Sequence, residues 1–189
     1  MKIGIIGCGY VGLSLGVLFA RKHQTFIADI DKEKINKLKH KISPIKDDDV
    51  SKYLQNKRLN LHPTSDVNSV VCSSDILFIA TPTNYHPETN FFNTESVTQT
   101  IKLCINKNPK ALIVIKSTVP VGYTKSVASE LKTENVVFSP EFLRENSALK
   151  DNLYPSRIIV GDNGEKGKAV GKILKNSAIA SEVPVLQTK

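Results

Sequence analysis

The first twelve residues constrain the fold of this chain more than any other stretch. A short apolar run at residues 3–6 leads directly into the pattern Gly7-x-Gly9-x-x-Gly12. Apolar residues then recur at α-helical spacing, at Val11, Leu15, Leu18 and Phe19. Glycines between a strand and a helix allow a tight turn, close approach of a pyrophosphate, and close packing of helix on strand. Because a helix N-terminus also attracts phosphate, the pattern predicts a dinucleotide-binding turn.

A second signal supports this prediction. The next predicted strand, residues 25–28, ends in Asp29, twenty residues after Gly9. A dinucleotide-binding fold places at this distance the acid that accepts hydrogen bonds from the adenosine ribose. The alternative is an α/β domain that has a glycine-rich turn and binds nothing. That alternative leaves the position of Asp29 unexplained.

Composition excludes several classes of protein. The chain has 189 residues, of which 40% are hydrophobic, enough to form a core. No apolar run approaches the ~18 residues that a membrane helix needs, so we expect no membrane segment. The glycine-interrupted N-terminus does not resemble a signal peptide. The three cysteines form no C-x-x-C pair and the four histidines are scattered, so we expect no metal site, no disulfide framework and a cytoplasmic location.

The net charge of +8 raises the question of nucleic-acid binding. Five lysines fall within residues 32–41, but Asp31 and Glu33 lie among or beside them. No aromatic residues alternate with these lysines and no nucleic-acid motif is present, so we expect a solvated helix face and no nucleic-acid partner. An acidic partner or anionic ligands are the alternatives for the remaining excess.

Strand and helix patterns alternate along the whole chain. This order predicts an α/β fold: a Rossmann-type, doubly wound, mostly parallel sheet in a single domain at residues 1–189. The acidic run at residues 47–49 is expected to begin a helix, where it needs no metal. Three local predictions are less regular: a short strand at residues 59–61, a polar loop at residues 84–93 and a helix at residues 141–150.

The predicted strands end in small, hydroxyl or acidic residues. These ends are Gly7, Asp29, Thr81, Ser117 and Ser139. In a parallel sheet all of them lie at one edge, and ligands bind at that edge. We therefore expect Thr83, Thr118, Glu141 and Glu145 to share one cleft with Gly9. Taken singly, each could equally be a turn residue, a helix cap or an exposed acid.

Four motifs resemble, in the same order, those of the UDP-glucose/UDP-N-acetylmannosamine 6-dehydrogenases. They are Ile6-Gly7-x-Gly9-Tyr10-Val11-Gly12-Leu13, Ala80-Thr81-Pro82-Thr83, Lys116-Ser117-Thr118-Val119-Pro120-Val121-Gly122, and Ser139-Pro140-Glu141-Phe142-Leu143-Arg144-Glu145. Ser43-Pro44-Ile45 and the run from Asp151 to Ile159 are similar to the bacterial UDP-glucose 6-dehydrogenases. The resemblance covers essentially the whole chain.

The resemblance implies an enzyme that oxidises a sugar C6 alcohol to a carboxylate with two NAD⁺, through an aldehyde and a cysteine thioester. This places the chain in UDP-glucuronate and polysaccharide biosynthesis. It implies that Gly7, Gly9, Tyr10, Val11 and Gly12 hold the pyrophosphate of NAD. Asp29 would bind the adenosine ribose with Lys34 nearby. Thr83 and Thr118 would line the nicotinamide side.

The resemblance also implies a substrate wall and catalytic residues. Glu141, Phe142, Leu143, Arg144 and Glu145 would form one wall of the UDP-sugar site. Glu141 would act as base for the water that hydrolyses the thioester. Thr118 and Glu145 would position water and cofactor.

The chain departs from the family pattern in one respect. The family continues into a long helix with a catalytic Lys and Asn, and then a domain with the nucleophilic Cys and an Asp. None of these has a counterpart among the 189 residues. The resemblance therefore implies the NAD-binding domain alone, catalytically incomplete and able to be monomeric, whereas the full-length family is typically homodimeric. The alternatives are part of a UDP-N-acetylmannosamine dehydrogenase and a free-standing NAD-binding sensor.

Overall fold

The computed structural model describes residues 1–86 and 91–188. Strands and helices alternate along most of the chain. In chain order they are β1 (Lys2–Ile6), α1 (Tyr10–Ala20), β2 (Gln24–Ala28), α2 (Lys32–Lys39), α3 (Asp48–Asn56), β3 (Leu61–Thr64), α4 (Val67–Ser73), β4 (Ile76–Ile79), β5 (Asn84–His86), β6 (Phe91–Asn93), α5 (Glu95–Lys107), β7 (Leu112–Ile115), α6 (Tyr123–Glu130), β8 (Val136–Phe138), α7 (Ala148–Leu153), β9 (Ile158–Val160), α8 (Glu165–Ser177) and β10 (Val185–Gln187).

Six strands form one parallel sheet in the order β3-β2-β1-β4-β7-β8. The strand order reverses between β1 and β4, which pair in parallel with Ile5 opposite Phe78. In doubly wound sheets, ligands bind in the crevice at such a reversal, beyond the carboxyl ends of the strands. The predicted α/β class and parallel sheet are therefore confirmed.

Both faces of this sheet are buried. Alternate residues of a strand point to opposite faces, and Ile5 belongs to one core cluster whereas Ile6 belongs to the other. Helices α1, α2, α3, α7 and α8 contribute to the first cluster, and α4, α5 and α6 to the second. The apolar strand runs in the sequence follow from this double coverage. Within the described ranges, no helix is long and apolar enough to cross a membrane.

The sheet is extended by a smaller parallel pair, β9 with β10. This pair adjoins β8: the Gly161 N–H donates to the Phe138 carbonyl at 2.7 Å, and Ser139 Oγ donates to the Ile159 carbonyl at 2.9 Å. These contacts fix the segment between β8 and β9, which carries the predicted substrate residues.

The predictions for residues 84–93 and residues 59–61 were wrong in detail. The predicted loop at residues 84–93 contains the antiparallel strands β5 and β6, and residues 87–90 lie outside the described residues. Tyr and Phe favour strands, which the polar composition of this stretch obscured. The strand predicted at residues 59–61 begins instead at Leu61 and includes Pro63. Proline is tolerated there because β3 is the edge strand of the sheet.

The helix predicted at residues 141–150 is also wrong for its first half. A 3₁₀ turn covers Glu145–Ser147 and α7 begins only at Ala148. Asp151 accepts hydrogen bonds from the Arg144 backbone N–H at 2.9 Å and from the Arg144 guanidinium at 2.8 and 3.2 Å. These bonds hold Arg144 in an extended conformation, so a helix cannot continue through it.

Asp47 joins two helices near this segment. Its side chain is buried, one carboxylate oxygen accepts the N–H groups of Asp49 and Val50, and the other accepts the Leu149 N–H, each at 3.0 Å. Asp47 therefore caps α3, as the sequence predicts for the acidic run, and also ties α3 to the start of α7.

We expect Asp47→Ala to lower the free energy of unfolding by about 2–4 kcal/mol, because one cap contributes ~0.5–2 kcal/mol and here two helix starts lose their acceptor. Urea unfolding measures this change. Asp66→Ala is the matched control, since Asp66 caps only α4 through the Ser69 N–H, and should cost ~1 kcal/mol. Equal costs for both variants would contradict the double role of Asp47.

Candidate functional site

The glycine turn between β1 and α1 is shaped by close backbone contacts. Gly7 has φ +108°, and a Cβ atom on it would collide with the carbonyl group of Ala80, the residue that follows β4. A Cβ on Gly12 would collide with the Gly7 carbonyl oxygen. A Cβ on Gly9, in contrast, would meet nothing within 4 Å. Packing therefore requires Gly7 and Gly12, whereas Gly9 leaves open space where a pyrophosphate can approach the start of α1.

The first turn of α1 fits an anionic ligand. Gly9 is the N-cap residue and provides no side-chain hydrogen bond to the helix start. The first N–H groups of a helix have no partner within the helix and carry its positive dipole end. The N–H groups of Tyr10 and Val11 are thus available to phosphate oxygens, and both residues line the adjacent cleft. The turn fits a dinucleotide.

Asp29 organises the turn from the end of β2. One carboxylate oxygen accepts the Cys8 N–H at 2.6 Å, and the other accepts the Asp31 N–H at 2.9 Å. The sequence predicts Asp29 beside the ribose, but it does not reveal the hydrogen bond that Asp29 accepts from Cys8 in the glycine turn. Asp31 in turn caps α2 by accepting hydrogen bonds from the N–H groups of Glu33 and Lys34.

We expect Asp29→Ala to weaken NAD binding by about 1–3 kcal/mol, the usual cost of losing a hydrogen bond to a charged group. The Cys8 N–H also loses its acceptor, but the fold should survive because Asp29 lies at the ligand edge. Calorimetric titration measures the change. Asp29→Asn keeps one acceptor oxygen and should lose less affinity. Unfolding of Asp29→Ala, or unchanged affinity, would contradict a ligand-binding role for Asp29.

A cleft of about 290 Å³ lies at the carboxyl edge of the sheet, over the strand-order reversal. It brings together the predicted cofactor residues Gly7, Gly9, Tyr10, Val11, Asp29, Lys34, Thr83, Thr118 and Glu145, and also Glu141. Of the predicted cofactor residues, only Gly12 does not line it, because Gly12 lies behind the turn against Gly7. Convergence of separate strand ends on one cleft is what the sequence predicted.

The loops that follow β4 and β7 are tied to each other beside this cleft. Ser117 Oγ, in the loop after β7, donates to the Thr81 carbonyl in the loop after β4 at 2.7 Å. Ser96 Oγ, at the start of α5, donates to the Pro82 carbonyl of the same β4 loop at 2.8 Å. These bonds hold the segments that carry Thr83 and Thr118. Thr118 is exposed, so its hydroxyl is accessible from the open side of the cleft.

A second cavity of about 250 Å³ adjoins the cleft. Glu141, Phe142, Leu143 and Arg144 line it, whereas Glu145 lines only the cofactor cleft. The Arg157 guanidinium lies 4.5 Å from the centroid of the Phe142 ring. Four of the five predicted substrate residues therefore form one wall of a cavity next to the predicted nicotinamide side.

Lys116 and Glu141 line both cavities. Lys116 Nζ donates to the Pro140 carbonyl at 3.0 Å and lies 3.8 Å from Glu141 Oε2. Burial lowers the pKa of Lys116 to about 8, against the opposing effect of Glu141. Burial likewise raises the pKa of Glu141 above its usual range, against the opposing effect of Lys116.

Sequence reasoning did not identify Lys116 as a site residue. It appeared only as the first residue of a resembling motif. The available signal was a lysine directly after a buried strand, at the edge where the other strands end in Gly, Asp, Thr or Ser.

None of the three cysteines combines a reactive thiol with a position at the carboxyl-edge cleft. Cys8 and Cys104 are buried, and burial raises the pKa of each thiol to about 12. A thiol, unlike a thiolate, is a poor nucleophile. Cys72 is exposed and lies at the opposite, amino edge of the sheet, near Lys2 and Asp75. Across residues 1–86 and 91–188, no three His, Cys, Asp or Glu side chains are grouped to hold a metal ion.

The parallel sheet, the glycine turn and the strand-end acid together define a dinucleotide-binding α/β domain. The family model "UDP-glucose/GDP-mannose dehydrogenase family, NAD binding domain" matches residues 1–178. The chain therefore belongs to this family, and the cofactor of the domain is NAD.

Two curated relatives are close in sequence. The chain is 48% identical to a UDP-glucose 6-dehydrogenase of Streptococcus pneumoniae, covering 98% of this chain and 49% of the relative. It is 46% identical to a UDP-glucose 6-dehydrogenase of Campylobacter jejuni, covering 93% and 46%. The chain thus spans about half the length of the curated relatives it matches.

Solved structures share the fold. A UDP-glucose dehydrogenase from Pyrobaculum islandicum superposes with a TM-score of 0.85 at 26% identity, covering 100% of this chain and 46% of that structure. A ternary complex of a GDP-mannose dehydrogenase from Pseudomonas aeruginosa gives the same TM-score, identity and coverage. The fold of this chain is therefore common to these two dehydrogenases.

Proposed function

We propose that the chain is the NAD-binding part of a UDP-glucose 6-dehydrogenase, which oxidises UDP-glucose to UDP-glucuronate with two NAD⁺. The observation that carries this proposal is the junction of the two cavities at Glu141. A sugar in the second cavity would have its reacting end beside the nicotinamide side of the cleft. The choice of UDP-glucose is supported by the names of the two curated relatives given above.

The cofactor roles follow the geometry of the cleft. The N–H groups of Gly9, Tyr10 and Val11 bind the pyrophosphate, and Asp29 accepts hydrogen bonds from the adenosine ribose, with Lys34 beside it. Thr83 and Thr118 line the nicotinamide side. When bound, NAD supplies a hydride acceptor at this position.

The substrate roles fall on the segment between β8 and α7. Phe142, Leu143 and Arg144 form a wall of the UDP-sugar site. Glu141 acts as general base toward a water at the junction, a task that suits a carboxylate whose pKa burial raises above its usual range. Thr118 and Glu145, both exposed on the cleft, position water and cofactor. The compartment we propose is the cytoplasm, where reduced cysteines persist.

The test is an assay of the full product of the source gene. NADH formation is followed with NAD⁺ and either UDP-glucose or UDP-N-acetylmannosamine. The proposal predicts two NADH per UDP-glucose consumed and little turnover of the other sugar. Preferential oxidation of UDP-N-acetylmannosamine would replace the proposed substrate. NAD binding without oxidation of either sugar would identify a sensor instead.

A further inference from the structure

Lys116 occupies an unusual position for a lysine. It follows β7 directly, and only 5% of its side chain is exposed. Burying an ammonium group is costly unless hydrogen bonds and an opposite charge compensate it. Its compensation here is the Pro140 carbonyl at 3.0 Å and the Glu141 carboxylate at 3.8 Å. The ammonium is therefore held between the end of one strand and the segment that carries the proposed base.

The Glu141 carboxylate keeps one oxygen uncommitted. Oε2 is buried, and no group in the described part of the chain donates a hydrogen bond to it. The 3.8 Å separation from Lys116 Nζ is too long for a hydrogen bond. At this distance the ammonium still favours the ionised carboxyl group through its charge. The oxygen nearest the cation thus remains free to accept a proton from another group.

We propose that Lys116 is a positioning residue that keeps the Glu141 carboxyl ionised at the junction of the two cavities while leaving Oε2 free to take a proton. The inference rests on the proposed function in that it gives Glu141 the role of base. Burial raises the pKa of Glu141, whereas Lys116 and, to a smaller extent, a backbone N–H group at Glu141 lower it. Without the cation, only that backbone group would oppose the effect of burial, and the protonated, inactive acid would be favoured.

Other charged groups around the two cavities do not replace this cation. Besides Lys116 and Glu141, the acidic and basic side chains that line the cavities are Asp29, Lys34, Arg144, Glu145, Asp151 and Arg157. Arg144 is paired with Asp151 at 2.8 Å, and Lys34 lies 3.9 Å from Asp31. The guanidinium of Arg157 lies over the Phe142 ring. Lys116, whose ammonium lies 3.8 Å from the Glu141 carboxylate, lowers the pKa of Glu141 through its charge.

The direct test is a pH titration of the chain labelled with ¹³C at glutamate side-chain carboxyls, with Glu141 assigned from Glu141→Gln. In Lys116→Met the pKa of Glu141 is expected to rise by about 1–3 units, the usual effect of a nearby opposite charge. Lys102→Met is the matched control. Lys102 forms a half-exposed ion pair with Glu130 at 3.2 Å and lines neither cavity, so the pKa of Glu141 should not change in this variant. An unchanged Glu141 pKa in folded Lys116→Met would overturn the inference.

A reciprocal variant keeps the test valid if Lys116→Met does not fold. Energetic coupling between two titrating groups is mutual. In Glu141→Gln the pKa of Lys116, followed through its ε-carbon resonance, should therefore fall below about 8. If it stays unchanged or rises, the two groups are not coupled and the inference fails.

The functional consequence is measured on the full product of the source gene. In Lys116→Met the acid limb of the pH dependence of kcat should move to higher pH by about the shift measured for Glu141. A merely structural lysine would lower activity without moving that limb, and such a result would overturn the positioning role. Failure of the wild-type protein to oxidise UDP-glucose would instead refute the proposed function. The two failures are distinguishable because the NMR titration needs no substrate.

Discussion

Produced by themselves, these 189 residues are expected to bind NAD and to form no measurable NADH from UDP-glucose. Under the proposed function, oxidation to the acid passes through a cysteine thioester. Cys8 and Cys104 are buried thiols whose pKa is raised to about 12, and Cys72 lies at the opposite edge of the sheet from Glu141. Loss of the nucleophile in a covalent enzyme lowers kcat by a factor on the order of 10⁶.

The measurement is NADH absorbance with purified chain, NAD⁺ and UDP-glucose, run beside the full product of the source gene. Cys72→Ser is the control variant, because Cys72 carries the one exposed thiol among the chain's cysteines, and it should change nothing. Sustained NADH production by the 189 residues alone would require a different catalytic centre. A loss of such production in Cys72→Ser would locate that centre.

The second large effect is discrimination between the two nicotinamide dinucleotides. A ribose 2′-phosphate, as in NADP, would lie against the Asp29 carboxylate. Like charges ~4 Å apart repel by roughly 4 kcal/mol at an effective dielectric constant near 20, equivalent to ~10³ in affinity. Lys34 also lines the cleft and reduces this repulsion, so ~10³ is an upper value and at least tenfold is expected.

Calorimetric titration with NAD⁺ and NADP⁺ under identical salt tests this preference. Asp29→Asn removes the charge and keeps the side-chain shape, so the preference for NAD⁺ over NADP⁺ should become smaller. Lys34→Met removes a positive charge from the cleft, so this preference should become larger. Equal affinities in the unmodified chain would show that Asp29 does not face the ribose.

Much of this account could be predicted from local sequence. Apolar strand runs, helical spacing and the Gly7-to-Asp29 pattern each depend on residues close together in the chain. They predicted a strand at or beside each strand of the central sheet, although β3 lies at Leu61–Thr64 and not at residues 59–61. Strand ends share one edge by the geometry of a parallel sheet, which is why Thr83, Thr118 and Glu141 could be placed in one cleft.

What the sequence could not reveal depends on contacts between distant residues. Arg144 is extended because Asp151 binds it, and α7 begins only at Ala148; helix propensity does not predict that contact. Pro63 fits a strand only because β3 lies at the sheet edge. The contact of Asp29 with the Cys8 N–H, and the burial of Lys116 beside Glu141, likewise arise only when separate segments pack together.

The most direct test of the central claim, that the carboxyl-edge cleft is the NAD site, is amide NMR mapping with ¹⁵N-labelled chain. On addition of NAD⁺, we expect the amide resonances of Gly9, Tyr10, Asp29 and Thr118 to shift with a common affinity. The amide resonances of Lys2 and Asp75, at the opposite, amino edge of the sheet, should not shift and serve as the internal control. Shifts confined to that amino edge, or no shifts at saturating NAD⁺, would contradict the account.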